Sequence, residues 1–150
     1  MKYLKAYLIF GLFLFLFAST PVLGQGEIEW NFEYDLDRKE LVYTAQLADG
    51  WHLYSQFIDE NSGPVATTFK LEKNDSIVLA KKIKEPKGQT VFDKNFNSEI
   101  TYFSEEVKFT QKINKVIEPT TVRGNVLFMV CDDNGCLPPD VIEFEIEIKK

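Results

Sequence analysis

Ile28–Leu47, IEWNFEYDLDRKELVYTAQL, is the stretch that decides the fold class. Ile28, Trp30, Phe32, Tyr34 and Leu36 alternate with Glu29, Asn31, Glu33 and Asp35. A period of two, rich in aromatics, predicts a strand with one buried face. Asp37-Arg38-Lys39-Glu40 is a polar turn, after which Leu41, Tyr43, Ala45 and Leu47 resume the alternation, so the two runs form a hairpin.

Working outward, Asp49-Gly50 marks the next turn and Trp51-His52-Leu53-Tyr54 a third strand, with Trp51 and Leu53 on one face and His52 and Tyr54 on the other. A loop, DENSGP at Asp59 to Pro64, precedes a strand through Val65, Thr67, Phe69 and Leu71. Ile77 to Ala80 reads as a short edge strand, and Lys81 to Gly88 as a basic connection. Phe92 to Asn97 is a loop whose two phenylalanines lack alternation; such rings usually pack onto the core beneath, though they can also form a lid. Val107, Phe109 and Ile113 form a further strand ending near Pro119. Val122 to Val130 turns continuously apolar from Val126, as a strand covered on both faces would. Val141 to Ile148 alternates Ile142, Phe144, Ile146 and Ile148 with glutamates. Helical periodicity is missing throughout, so the expected fold is an all-β, immunoglobulin-like β-sandwich. The usual cysteine pair joining two immunoglobulin sheets is replaced by two cysteines close together.

With 150 residues, 45% of them hydrophobic, the chain is sized for one globular domain. Lys2 and Lys5 precede an apolar run from Ala6 to Ala18, and small residues follow up to Gly24. That pattern predicts a cleavable signal peptide over 1–24 and a domain over 25–150, with no membrane span in the mature chain. Removing Lys2 and Lys5 takes the formal charge from −6 to about −8, which argues against nucleic acid and anionic membranes as partners. Export makes a disulfide chemically plausible.

The cysteines sit in VLFMVCDDNGCLPP, Val126 to Pro139. Asp132-Asp133-Asn134-Gly135 is a strong turn sequence in which Asn-Gly accepts positive φ. It would bring Cys131 and Cys136 face to face at roughly 4.5–5.5 Å between Cα atoms, within reach of a disulfide. Pro138 and Pro139 cannot donate ladder hydrogen bonds, so pairing must stop just beyond Cys136. Two readings stay open on the residues alone: a plain cross-link, the commoner use of such pairs, and a reactive disulfide. As a staple it returns little, roughly 2 kcal/mol for a loop of about six residues against nearly 5 for about 100. Two cysteines and the single His52 fall short of a zinc site, and no cofactor is expected. His52 reads first as a partly exposed strand residue and second as a neighbour that tunes a thiol.

The order DGWHLYSQ (Asp49 to Gln56), aromatic loop, then CDDNGCLPP (Cys131 to Pro139) resembles the N-terminal periplasmic domain of DsbD, the bacterial membrane thiol reductase. The resemblance covers nearly all of the chain beyond the signal, and it implies the same immunoglobulin-like fold. It also implies a thiol–disulfide shuttle; the signal peptide places the expected domain in the periplasm or outside the cell, and a monomer is the expectation. Such a shuttle takes electrons from a thioredoxin-like donor and passes them to oxidised periplasmic thiol proteins. By position, Cys136 would attack a partner's disulfide and Cys131 would resolve the mixed disulfide. His52 and Tyr54 match positions beside the cysteines, and Phe92 to Asn97, including Asp93, matches the family's cap loop. Phe96 is the expected shielding ring and Phe92 the alternative. The turn between the cysteines is one residue shorter than in a well-known member of the family. The family domain is usually fused to a membrane segment and a thioredoxin-like domain, so the expectation here is either a separate shuttle with partners encoded elsewhere or a domain that has lost the electron path. Asp132 and Asp133 beside both sulfurs should disfavour thiolate and raise the thiol pKa. The alternative from another class is a noncatalytic Ig-like binding domain whose hairpin disulfide is inert.

Overall fold

The computed structural model describes residues 26–59, 61, 63–94 and 96–149, and the expected signal peptide at 1–24 lies outside them. Three antiparallel sheets make up the domain, and helices are absent among the described residues. The first has the order β1 (Ile28–Asp35), β2 (Glu40–Leu47), β8 (Glu106–Val116), β5 (Ile77–Leu79). The second is β11 (Asp140–Ile148), β9 (Thr120–Phe128), β4 (Thr68–Leu71). The third is β10 (Val130–Cys131), β3 (His52–Tyr54), β7 (Ser98–Ser104), β6 (Gln89–Asp93). The fold is an immunoglobulin-like β-sandwich.

The first two sheets face each other through aromatic rings. Tyr43 meets Phe69 at 4.6 Å between centroids, Phe32 meets Phe144 at 4.5 Å, and Trp30 meets Phe128 at 5.6 Å. The β1–β2 hairpin forms as its alternation predicts, with Ile28 opposite Leu47 and Asp35 opposite Glu40. Leu36 departs from that pattern: it lies beyond the end of β1 and is 55% exposed, because the chain has already entered the turn. β4 likewise starts only at Thr68, since Val65 to Thr67 serve the loop before it.

The third sheet is where the domain departs from a plain sandwich. β2 and β8 pair with each other, and beyond a bend their continuations β3 and β7 pair again. Ala48 to Trp51 make the bend on one strand, closed by a hydrogen bond from Trp51 N to Ala48 O at 3.1 Å. Gly50, third in that turn, takes φ +82°, a conformation open to glycine at no steric cost. Glu105, at φ 64°, makes the matching corner, and its carbonyl accepts Leu47 N at 2.7 Å. The third sheet is consequently covered on both faces along β10, β3 and β7, though not along its edge strand β6. Leu53, Phe103 and Val130 point into the main core, whereas Tyr54, Ile100 and Cys131 join a second, smaller cluster with Met129.

Two sequence expectations change here. The apolar run Val126 to Val130 is not one central strand: β9 ends at Phe128 and the chain crosses at Met129 into β10, in another sheet. The run is apolar because it passes between two cores, Val126 and Phe128 facing one and Met129 the other. Phe92 and Asp93 are not loop residues but the end of β6, paired with Glu99 and Ser98 of β7. β6 is an edge strand with little buried surface on either face, so it shows no alternation to detect.

Phe109 is fully buried and touches Trp30, Phe69 and Phe103 at centroid distances of 5.2–6.1 Å. Phe109→Ala is expected to cost about 3–5 kcal/mol in urea unfolding. A loss below about 1 kcal/mol would show that this is not the centre of the core.

Candidate functional site

Cys131 and Cys136 are joined in a disulfide with a Cα separation of 4.0 Å. Two backbone hydrogen bonds bracket them, Leu137 N to Val130 O at 3.0 Å and Asp132 N to Gly135 O at 2.9 Å. That pattern makes the cysteines a non-hydrogen-bonded antiparallel pair, the register in which facing side chains come closest. The turn between them is built on one carboxylate. Asp132 Oδ1 accepts the backbone N–H groups of Asn134 (2.8 Å) and Gly135 (2.9 Å), and Oδ2 accepts Asn134 Nδ2 at 2.9 Å. The tolerance of Asn-Gly for positive φ is not used: neither Asn134 nor Gly135 adopts it, and the Asp132 side chain closes the turn. These bonds, led by the one from the Asn134 side chain, hold the Asp132 carboxyl below the usual carboxylate range.

The two sulfur-bearing residues differ sharply in exposure. Cys131 is 2% exposed, whereas Cys136 is exposed at the sheet end. Beyond it Leu137 packs against the main core and Pro138 is exposed, and strand pairing resumes only at Asp140.

β3 brings His52 and Tyr54 to this site. His52 is the direct sheet partner of Cys131, and Tyr54 packs in the same cluster as Cys131. His52 Nε2 and the Tyr54 hydroxyl share a hydrogen bond of 3.1 Å, and the Tyr102 ring lies 4.9 Å from His52. Burial lowers the His52 pKa, opposed by the negative charges of Asp93, Asp133 and Asp132. Burial, aided by Asp93, pushes the Tyr54 hydroxyl up to about 12. Both groups are therefore held neutral near pH 7. Sequence neighbours of His52 gave no hint of these carboxylates, which arrive from two other segments.

Phe96 and Phe92 part company. Phe96 is half-buried, packs against the Tyr54–Ile100–Met129–Cys131 cluster, and stands edge-on to Tyr54 at 6.5 Å. Its backbone N–H donates to Asp93 Oδ1 at 3.3 Å. Phe92 is 58% exposed on β6. Residues that sequence reasoning passed over include Met129 and Ile100, which floor the cluster, and Tyr102 beside His52. Only the chain crossing at Met129 and the two-faced sheet reveal them. Among the described residues, no group of three or more His, Cys, Asp or Glu is arranged to hold a metal ion.

The family model described as "Thiol:disulfide interchange protein DsbD, N-terminal" matches residues 20–148. The chain belongs to this DsbD N-terminal family. The reduced DsbD N-terminal domain of Neisseria meningitidis superposes with a TM-score of 0.62 at 17% identity, over 86% of this chain and 92% of that one. The DsbD N-terminal domain in complex with the PilB N-terminal domain, also from Neisseria meningitidis, gives 0.59 at 17% identity, over 83% and 86%. The N-terminal periplasmic domain of ScsB from Proteus mirabilis gives 0.51 at 16% identity, over 81% of this chain and 44% of that one. At such identities the likeness carries the fold. No curated protein matches the chain.

Two outcomes follow for this DsbD N-terminal family member. Because the folded-state pKa of His52 lies below its ordinary 6.5, the unfolded chain takes up the proton first as pH falls. His52 thus favours folding above about pH 6.5 and weakens it as pH drops towards the folded pKa. The urea midpoint should fall between pH 7.5 and 5, and His52→Gln should flatten that slope; an unchanged slope contradicts the assignment. Gly135→Ala should change stability by less than about 0.5 kcal/mol, since no positive φ and no neighbour within 4 Å opposes a Cβ there.

Proposed function

We propose that this chain is a periplasmic thiol–disulfide interchange module that relays electrons through Cys131 and Cys136. Residues 1–24 would serve as the signal peptide and 25–150 as a monomeric working domain. The single observation that carries the reading is the asymmetry of the pair, with Cys136 exposed at a sheet end and Cys131 buried behind it. An incoming sulfur can reach Cys136, while the other sulfur is sheltered from competing reactions.

In the reducing half, a thiolate of a thioredoxin-like donor attacks Cys136 Sγ. The Cys131–Cys136 bond breaks, its electron pair passes to Cys131 Sγ, and a mixed disulfide joins Cys136 to the donor. The donor's second thiolate then attacks its own bridged sulfur, releasing the reduced domain and leaving the donor oxidised. In the oxidising half, Cys136 thiolate attacks the disulfide of an oxidised periplasmic protein and expels one of its sulfurs. Cys131 thiolate then attacks Cys136 Sγ, restoring the intramolecular disulfide and releasing the acceptor with both thiols reduced.

The remaining residues support rather than perform these steps. His52 and Tyr54, both neutral, form the wall beside Cys131 and place no cation there to bind stray anionic thiols. Phe96, with Asp93 holding its backbone, forms the cover over the cluster that contains Cys131. Phe92, far more exposed, is left to face a docking partner. Family membership and the complex recorded for a DsbD N-terminal domain with a PilB domain support docking of this kind.

A trapping experiment tests the relay. Cys131→Ala, mixed with a thioredoxin-like protein that keeps only its attacking cysteine, activated as a mixed disulfide with thionitrobenzoate, should give a persistent mixed disulfide through Cys136, visible on a non-reducing gel and abolished by dithiothreitol. Cys136→Ala should give little or none, because its remaining thiol is buried. Equal trapping by both variants, or trapping by neither, contradicts the proposal and favours an inert hairpin disulfide in a binding domain.

A further inference from the structure

The ring of Phe96 rests directly on backbone. A Cβ placed on Gly63 would stand 2.8 Å from Phe96 Cγ, 2.9 Å from Cε1 and closer still to Cδ1, so the ring occupies the space a side chain would need. Gly63 also takes φ +108°, which L residues rarely adopt. It belongs to the loop after β3, and that loop is tied at both ends. At its start, the Ser55 hydroxyl and Gln56 N donate to the two carboxylate oxygens of Glu85, the latter bond at 2.9 Å, and Phe57 N donates to Ser55 Oγ at 3.0 Å. At its end, the buried Thr67 hydroxyl donates to Tyr54 O at 2.6 Å. Ile58 and Val65, near the two ends, pack against the same cluster as Phe96 and Cys131.

We infer that Gly63 is a positioning residue for the cysteine pair. The pinned loop carries it as a flat seat against which the Phe96 ring is held, and the seated ring screens Cys131. The β6–β7 turn contributes the ring, whereas the loop after β3 fixes where the ring lies. The Glu85 carboxylate, by holding the start of that loop, thereby bears on access to a sulfur it never touches. This inference deepens the relay reading above and rests on it for its biological meaning, though the contact itself can be tested alone.

The measurement is alkylation of the Cys131 thiol by iodoacetamide in full-length protein carrying Cys136→Ser, which removes the other sulfur. Gly63→Ala and Phe96→Ala are added singly and together. If unscreened forms make up ~10% or less of the parent, displacing the ring should speed alkylation by about tenfold or more. The double variant should be no faster than Phe96→Ala alone, since Gly63 acts only through the ring. Alkylation of the Gly63→Ala protein at the parent rate, or effects of the two changes that multiply, overturns the inference. Should Gly63→Ala fail to fold, Phe96→Trp tests the seat from the other side. The larger indole cannot fit against Gly63 and should likewise speed alkylation, while the parent rate again overturns the inference. No donor or acceptor protein enters this assay, so the seat can fail with trapping intact, and trapping can fail with the seat confirmed.

Discussion

Two backbone hydrogen bonds, Leu137 N to Val130 O and Asp132 N to Gly135 O, hold Cys131 and Cys136 in the one register where facing strand residues come closest. A slip by one residue would turn Cys131 into the main core and Val130 outward, because side-chain direction alternates along a strand. The register is held from both sides. Val130 is anchored opposite Leu53 in the main core, and Cys131 lies opposite His52 in the smaller cluster. The carboxylate of Asp132 ties the turn, so the chain reverses without relying on glycine conformation.

That register depends in turn on a sheet covered on both faces along β10, β3 and β7. Through Leu53, Phe103 and Val130 the small sheet shares the stability of the sandwich, and through Tyr54, Ile100 and Cys131 it builds a separate shelter for one sulfur. The bends at Gly50 and Glu105 make the arrangement possible, since they let β2 and β8 carry on into β3 and β7 at a new angle. A disulfide closing so short a loop contributes only roughly 2 kcal/mol in the chain-entropy model. The larger share of apolar burial lies in the core that includes Trp30, Tyr43, Phe109, Phe128 and Phe144, away from the cysteine turn.

Much of this was legible in the amino-acid order. The β1–β2 hairpin and the alternating β11 stand as read, because one face of each meets the core and the other meets water. The closeness of the two cysteines also followed from the turn residues between them. What escaped the sequence was anything that depends on two distant segments. The apolar run ending at Val130 gave no sign of a crossing between sheets, since both destinations are apolar. β6 was hidden because an edge strand exposed on both faces has no period. The carboxylates around His52 come from β6 and the cysteine turn, and the seat beneath Phe96 comes from the loop after β3, so spacing along the chain could reveal neither.

The central claim is that the Cys131–Cys136 bond is made to open and close in use. Equilibrating the full-length protein against graded dithiol redox buffers, and following the disulfide by thiol labelling, tests it most directly. The account predicts a midpoint less negative than about −300 mV, so that a thioredoxin-like dithiol can reduce the bond. A midpoint well below about −300 mV would make it a structural staple and contradict the account.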